Sequence, residues 1–284
     1  MANKKLKGGE EEQFELQIGL GLSNMTDEEK FLFDVHGYLQ FDDLIPPDTI
    51  NHVNAALAQL EAGRHGPSGA NLSFQSPNRY DLQVMNPVDA GAPFEALVAI
   101  PQVIDRLNAL IWGRQYRLVY NYALTRKRGG ATPLNQGGSR DPRRHTRYRC
   151  TNGEFRCLLI TCLMALTDVP SGDGCFCVIP GSHKSNFPLP YEPLAFESVP
   201  DLLEIPLKAG TVLLYSENLT HGDLQSRLGV QRRLYFGYGP SYMLSWPECE
   251  PSGPALDRAK ANEEHRRLLM PPYYHPLQSQ RKRT

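Results

Sequence analysis

The sequence has no long apolar run, no surplus of either charge and no cysteine spacing of the kind that binds zinc. Each absence removes a class of function. Without about 18 consecutive apolar residues, nothing reads as a membrane-spanning helix. Thirty basic side chains against 31 acidic ones give a formal net charge of −1, so the chain has no overall field to hold nucleic acid or an anionic membrane. The six cysteines (Cys150, Cys157, Cys162, Cys175, Cys177 and Cys249) contain no CxxC pair, and several sit in apolar runs. Free thiols in a reducing, cytoplasmic setting are therefore expected. The first seven residues, Met1-Ala-Asn-Lys-Lys-Leu-Lys, carry lysines with no apolar stretch behind them, so no secretory signal is expected.

What is present is a loop-rich, soluble composition, with 24 glycines and 23 prolines in 284 residues. Residues 1–24 are polar and Gly-rich and read as a flexible leader. Thr26-Asp-Glu-Glu29 is a capping box that opens a short helix. Pro46-Pro47 opens a second helix, with an apolar stripe at Ile50, Val53, Leu57 and Leu60 and a stop at Gly63. A third follows Pro101, with Val103, Ile104, Leu107 and Ile111 on one face. The middle of the chain alternates short apolar segments with Gly/Pro turns: 117–124, 156–166, 174–179, 211–215 and 233–237 read as strands. Helices followed by many short strands predict an α+β fold with a double-sheet jelly roll and flanking helices over residues 25–245. A charged helix over 255–269 and a tail complete a C-terminal segment, 246–284.

Two residues stand out chemically. His221 follows a buried strand, and Arg232 lies eleven positions on at the start of the next. At the mouth of a barrel, an imidazole ligates a metal and an inward guanidinium clamps a carboxylate. Alone, neither residue is specific.

Five segments in order add context: Asp34-Val-His-Gly-Tyr38, Ala165-Leu-Thr-Asp-Val-Pro-Ser-Gly-Asp-Gly-Cys175, Val178-Ile-Pro-Gly-Ser-His-Lys184, Leu207-Lys-Ala-Gly-Thr-Val-Leu-Leu214 and His221-Gly-Asp with Arg232. Together they resemble the phytanoyl-CoA dioxygenase family of Fe(II)/2-oxoglutarate-dependent oxygenases, over roughly residues 30–242. The resemblance implies a double-stranded β-helix of the cupin type. It also implies Fe(II) and 2-oxoglutarate as cofactors, His221 as the distal metal ligand and Arg232 as the 2-oxoglutarate clamp. His183, within Pro180-Gly-Ser-His183, is read as structural.

The sequence departs from the family where the first histidine and the carboxylate are expected as His-x-Asp. The matching stretch is Thr132-Pro-Leu-Asn-Gln-Gly-Gly138, so Asn135 stands at the histidine position and Gly137 at the carboxylate position. An amide oxygen is a weak iron ligand and glycine offers none; the vacant carboxylate resembles iron-dependent halogenases, which keep their first histidine. His145 is an alternative first ligand, although it sits in the basic cluster 143–149. That cluster, with Arg126, Lys127, Arg128 and Arg140, is expected near the mouth, where it would attract an anionic small-molecule substrate. The expected function is an oxygenase acting on a small metabolite through an incomplete facial triad. The rival is a degenerate member that serves as a non-catalytic partner of an active homologue or as a ligand-binding protein. An oligomer with itself or with a family member is compatible with either.

Overall fold

A computed structural model describes residues 25–111, 113–136 and 146–273. The leader 1–24, the basic residues Arg140, Arg143 and Arg144, and two candidate site residues, Gly137 and His145, lie outside the described residues.

The three early helices form where the sequence places them. Helix α1, Asp27–His36, is capped by Thr26, whose hydroxyl accepts from the Glu29 N–H while the Glu29 carboxylate accepts from the Thr26 N–H. Helix α2, Pro47–Gly63, buries Ile50, Val53, Leu57 and Leu60 along one stripe. A short helix α3, Ala92–Glu95, precedes α4, Pro101–Ile111, which buries Val103, Ile104, Leu107 and Ile111. The expected single helix at 255–269 is two: α5, Gly253–Ala259, and α6, Glu263–Leu269. Asn262 breaks it, because its side-chain oxygen accepts from the N–H groups of Glu264 and His265 and so starts a new helix.

Among the described residues there are thirteen strands, numbered in chain order. They are β1 Tyr38–Phe41, β2 Ser73–Gln75, β3 Asp81–Met85, β4 Tyr116–Arg126, β5 Thr132–Asn135, β6 Cys150–Thr151, β7 Glu154–Phe155, β8 Ile160–Ala165, β9 Phe176–Val178, β10 Leu203–Ile205, β11 Val212–Ser216, β12 His221–Asp223 and β13 Gln231–Pro240. A seven-stranded sheet has the order β1-β11-β8-β13-β4-β3-β2, and a four-stranded sheet the order β10-β9-β12-β5. Every pairing between them is antiparallel. This is the expected α+β jelly roll. The apolar run 156–166 forms a shorter strand than expected, since pairing begins only at Ile160.

Strand parity sets the layers. Leu163, Leu213 and Tyr235 of the larger sheet pack with Phe176, Val178 and Ile205 of the smaller one, forming the core between the sheets. The alternate residues Met164, Leu214, Leu234 and Phe236 pack on the other face against α2 and α4. On β13, therefore, odd-numbered residues from 233 to 235 face the inter-sheet space and even-numbered ones face the helices. All six cysteines are free thiols, and five are buried. Among the described residues, no helix is long and apolar enough to cross a membrane.

Candidate active site

The inter-sheet space opens into a cavity of about 400 Å³, lined by β4, β5, β9, β12 and β13. His221, the first residue of β12, faces it. Strand β11 leads into β12 through a tight turn in which the Leu219 N–H donates to the Ser216 carbonyl at 2.8 Å. This turn brings Glu217 and His221 side by side. Two side contacts hold it: the Thr220 N–H donates to Ser182 Oγ at 2.8 Å, and Asn218 Nδ2 donates to the His183 carbonyl. The Pro-Gly-Ser-His stretch thus buttresses the turn. His183 itself is buried, its Nε2 lies 3.1 Å from the Asp34 carbonyl, and burial pushes its pKa down to about 4. The structural reading of His183 agrees with this placement.

His221 is 6% exposed, and its ring packs between Phe176 and Tyr215. Nδ1 lies 2.7 Å from the Leu219 carbonyl oxygen, which can only accept, so Nδ1 carries the proton. In the neutral ring Nε2 is then left with its lone pair, as in a metal-ligating histidine oriented by a backbone carbonyl. Nε2 faces Glu217 Oε1 at 3.7 Å. The other oxygen, Oε2, accepts from Thr161 Oγ1, which in turn accepts from the Tyr120 hydroxyl at 2.6 Å; that hydroxyl lies 3.3 Å from Oε2. Burial pushes the Tyr120 phenol well above its ordinary pKa, so it stays protonated and serves as a donor to this Thr161–Glu217 pair.

Two glycines make room for this wall. A Cβ at Gly237 would fall within the Tyr120 ring, at 2.1 Å, and one at Gly222 would meet the Thr132 carbonyl at 2.7 Å. Gly237 lets Tyr120 lie across β13, and Gly222 lets β5 close onto β12. The remaining wall is aromatic: Tyr120 stacks on Trp246 at 4.2 Å and Tyr122 on Tyr235 at 4.6 Å.

A second polar cluster lies in the same cavity. Arg126 donates through Nε and Nη2 to both oxygens of Asp81, at 2.8 Å each, and through Nη1 to Asp223 at 3.0 Å. Arg233 pairs with the other oxygen of Asp223, and Thr132 donates to that carboxylate at 2.7 Å. Burial alone would raise the Asp223 pKa, but Arg233 and Arg126 beside it hold it below the ordinary carboxylate value. Among the described residues, Asp81, Asp223 and Glu217 against Arg126 and Arg233 leave one negative charge in surplus, which suits a cation.

The sequence of this chain matches the family model described as phytanoyl-CoA dioxygenase over residues 33–227, more than half its length. The chain belongs to the phytanoyl-CoA dioxygenase family. No curated protein matches it. Among solved structures, it is similar to HygX from Streptomyces hygroscopicus with nickel and 2-oxoglutarate bound, at 24% identity and a TM-score of 0.67, covering 78% of this chain and 89% of that one. HygX has also been crystallised with hygromycin B in addition to nickel and 2-oxoglutarate. The epimerase SnoN, in complex with Fe3+, alpha ketoglutarate and nogalamycin RO, is 16% identical with a TM-score of 0.55, covering 77% of this chain and 85% of that one. At these identities the likeness shows a shared fold. The fold and the family named by the sequence motifs are therefore both found, in a family of Fe(II)- and 2-oxoglutarate-dependent oxygenases.

Within this phytanoyl-CoA dioxygenase-family site, the candidate residues are only partly brought together. Asn135 is the cross-strand partner of His221, its Nδ2 lies 3.3 Å from the His221 carbonyl oxygen, and both residues line the cavity. Arg232 is elsewhere. It is an even-numbered residue of β13, so its side chain leaves the helix-facing side of the sheet and pairs with Glu61 of α2 at 2.7 Å. The expectation that Arg232 shares a cavity with His221 is corrected by this parity; the inward neighbour is Arg233. Arg126 is the guanidinium that lines the cavity. The basic cluster is also dispersed among the described residues: Arg126 is buried, Lys127 and Arg128 are exposed, and Arg147 and Arg149 line other clefts. Glu217 and the aromatic wall were not anticipated from the sequence.

The donor set fits a metal ion in part. Protein donors sit about 2.0–2.2 Å from ions of this size, so atoms 3.7 Å apart can share one. Among the described residues no group of three His, Cys, Asp or Glu side chains comes together as a metal site.

Proposed function

We propose that the cavity around His221 is the active site of an Fe(II)- and 2-oxoglutarate-dependent oxygenase acting on a small metabolite. The observation that carries this reading is the orientation of His221 in a member of this family. Its Nδ1 is committed to the Leu219 carbonyl, while Nε2 opens onto a jelly-roll cavity with surplus negative charge. When bound, iron with 2-oxoglutarate supplies the oxidising chemistry; the residues described here position and shield it.

On this reading His221 holds the metal. Asn135 faces it across the β5–β12 pair as a neutral neighbour. His145 remains the candidate for a second imidazole on sequence grounds. Arg126, with four N–H groups engaged by Asp81, Asp223 and Thr132, keeps one for the far carboxylate of 2-oxoglutarate. The stacked Tyr120–Trp246 and Tyr122–Tyr235 pairs offer flat faces to a ring-bearing substrate and keep water from the reacting centre. The surplus negative charge favours a neutral or cationic substrate over an anionic one. The free thiols suit a reducing cytoplasm.

The test is turnover by the isolated protein. After anaerobic loading with Fe(II), addition of 2-oxoglutarate and oxygen should release succinate slowly without substrate. Metal-loaded protein that releases none, alone or with candidate ring-bearing metabolites, would mark a non-catalytic member instead.

A further inference from the structure

We infer that Glu217 supplies the carboxylate ligand of the metal centre, in place of the carboxylate missing at Gly137. This inference rests on the proposed function, because it assigns a ligand to the same site.

The argument begins with two acceptors that face each other. With its proton on Nδ1, the neutral His221 ring presents a lone pair at Nε2, and Glu217 presents a carboxylate oxygen 3.7 Å away. Two lone pairs at that distance, with the side chains only 8% and 12% exposed, repel unless a positive charge, a proton or a metal ion, sits between them. Among the described residues, the surrounding side chains do not supply a cation for this pair. Arg126 and Arg233 are turned to Asp81 and Asp223, leaving the surplus charge at Glu217.

The second half of the argument is how the carboxylate is held. Thr161 donates to Oε2, and the Tyr120 hydroxyl, which donates to Thr161 Oγ1 at 2.6 Å, backs that bond from behind; this relay fixes the plane of the group and leaves Oε1 turned to His221. Ligating carboxylates are oriented by outer hydrogen bonds of this kind. The Ser216–Leu219 turn fixes the spacing, so both donors come from one rigid segment. A carboxylate four residues before the distal histidine thus occupies the cavity from the β11–β12 side instead of from β5.

The inference is tested by metal binding in the full-length protein, without turnover. Co(II) is titrated anaerobically and followed by calorimetry and by its d–d absorption. The wild type is expected to take up one Co(II) per chain, and His221→Ala to lose it. Glu217→Gln, which keeps the shape but offers an amide, should weaken binding at least about tenfold and change the absorption band. Circular dichroism checks folding. If Glu217→Gln does not fold, Glu217→Asp serves instead, with weakened binding and a shifted band expected. Should the Glu217 variant bind Co(II) with wild-type affinity and spectrum while His221→Ala does not, Glu217 is no ligand, although the proposed function stands. Should the wild type bind no metal, the proposed function falls and takes the inference with it.

Discussion

The cavity has two polar halves, and they are built on opposite principles. In one, Asp81, Asp223, Arg126 and Arg233 pair off with no net charge, and their hydrogen bonds close on one another. In the other, His221 and Glu217 turn acceptors towards each other, and among the described residues no lysine or arginine pairs with the carboxylate. The first half has the pattern of structural cement, in which charge is tolerated in the interior because each carboxylate meets a guanidinium, with one Arg126 N–H left over. The second is complete only with something added. Both lie behind the same aromatic wall, so burial alone does not distinguish a scaffold from a site; the balance of donors and acceptors does.

The sharpest way to break this comparison is Asp223→Ala. It strands the buried Arg233 guanidinium and leaves Arg126 with Asp81 alone, and losing one partner of a buried ion pair costs about 3–5 kcal/mol. A large fall in melting temperature is expected, whereas Glu217→Gln should leave it nearly unchanged. Equal losses for the two would erase the distinction drawn here. The Asp223 pKa is depressed in the folded protein, so its contribution is present above the ordinary carboxylate value and is lost as pH falls through the lower folded value. Acid unfolding of Asp223→Asn should lack that step.

The sequence made one half of this picture easier to read than the other. The layers were legible because apolar spacing follows helix and strand periods: the stripe 50, 53, 57, 60 is buried as expected. His221 was legible because a family motif ends on it. The guanidinium facing the cavity was not, since Arg232 and Arg233 are adjacent and strand parity alone decides which turns inward. Nothing local fixes parity when the strand is apolar on both faces. Glu217 was hidden in a polar turn, Ser216-Glu-Asn, that reads as solvated loop. A signal existed, in that a carboxylate four residues from a candidate ligand leaves the same buried strand; only the turn hydrogen bond makes that spacing a contact. Tyr120 and Tyr122 read as core, because an aromatic residue in a strand looks the same whether it lines a cavity or fills one.

A second test separates the halves by pH. His183 supports the turn that carries Glu217 and His221, and burial holds its pKa at about 4 against an ordinary 6.5. A folded value below the unfolded one means that this group's contribution is fully present above pH 6.5 and is lost as pH falls towards 4. The difference corresponds to on the order of 3 kcal/mol. The wild type should lose stability across that window, before Asp223 begins to titrate. His183→Gln, which can still donate to the Asp34 carbonyl, should flatten the slope there in denaturant melts taken at several pH values. An unchanged slope would mean that another group governs the loss.

The smallest effect expected belongs to Arg232, and it bears most directly on which arginine serves the cavity. Its ion pair with Glu61 is partly exposed, at 22% and 14% for the two side chains, so it contributes about 0.2–1 kcal/mol. Arg232→Ala should lower the melting temperature slightly. It should leave binding of 2-oxoglutarate to metal-loaded protein unchanged in calorimetry, because the side chain points to α2 and no described contact reaches the cavity. A clamp on a carboxylate would behave differently: its removal would cost a charge-assisted, bidentate contact and weaken binding by at least about tenfold. Weakened binding with unaltered folding would show that β13 presents its even-numbered face to the ligand, and the parity that orders both halves of the cavity would be wrong.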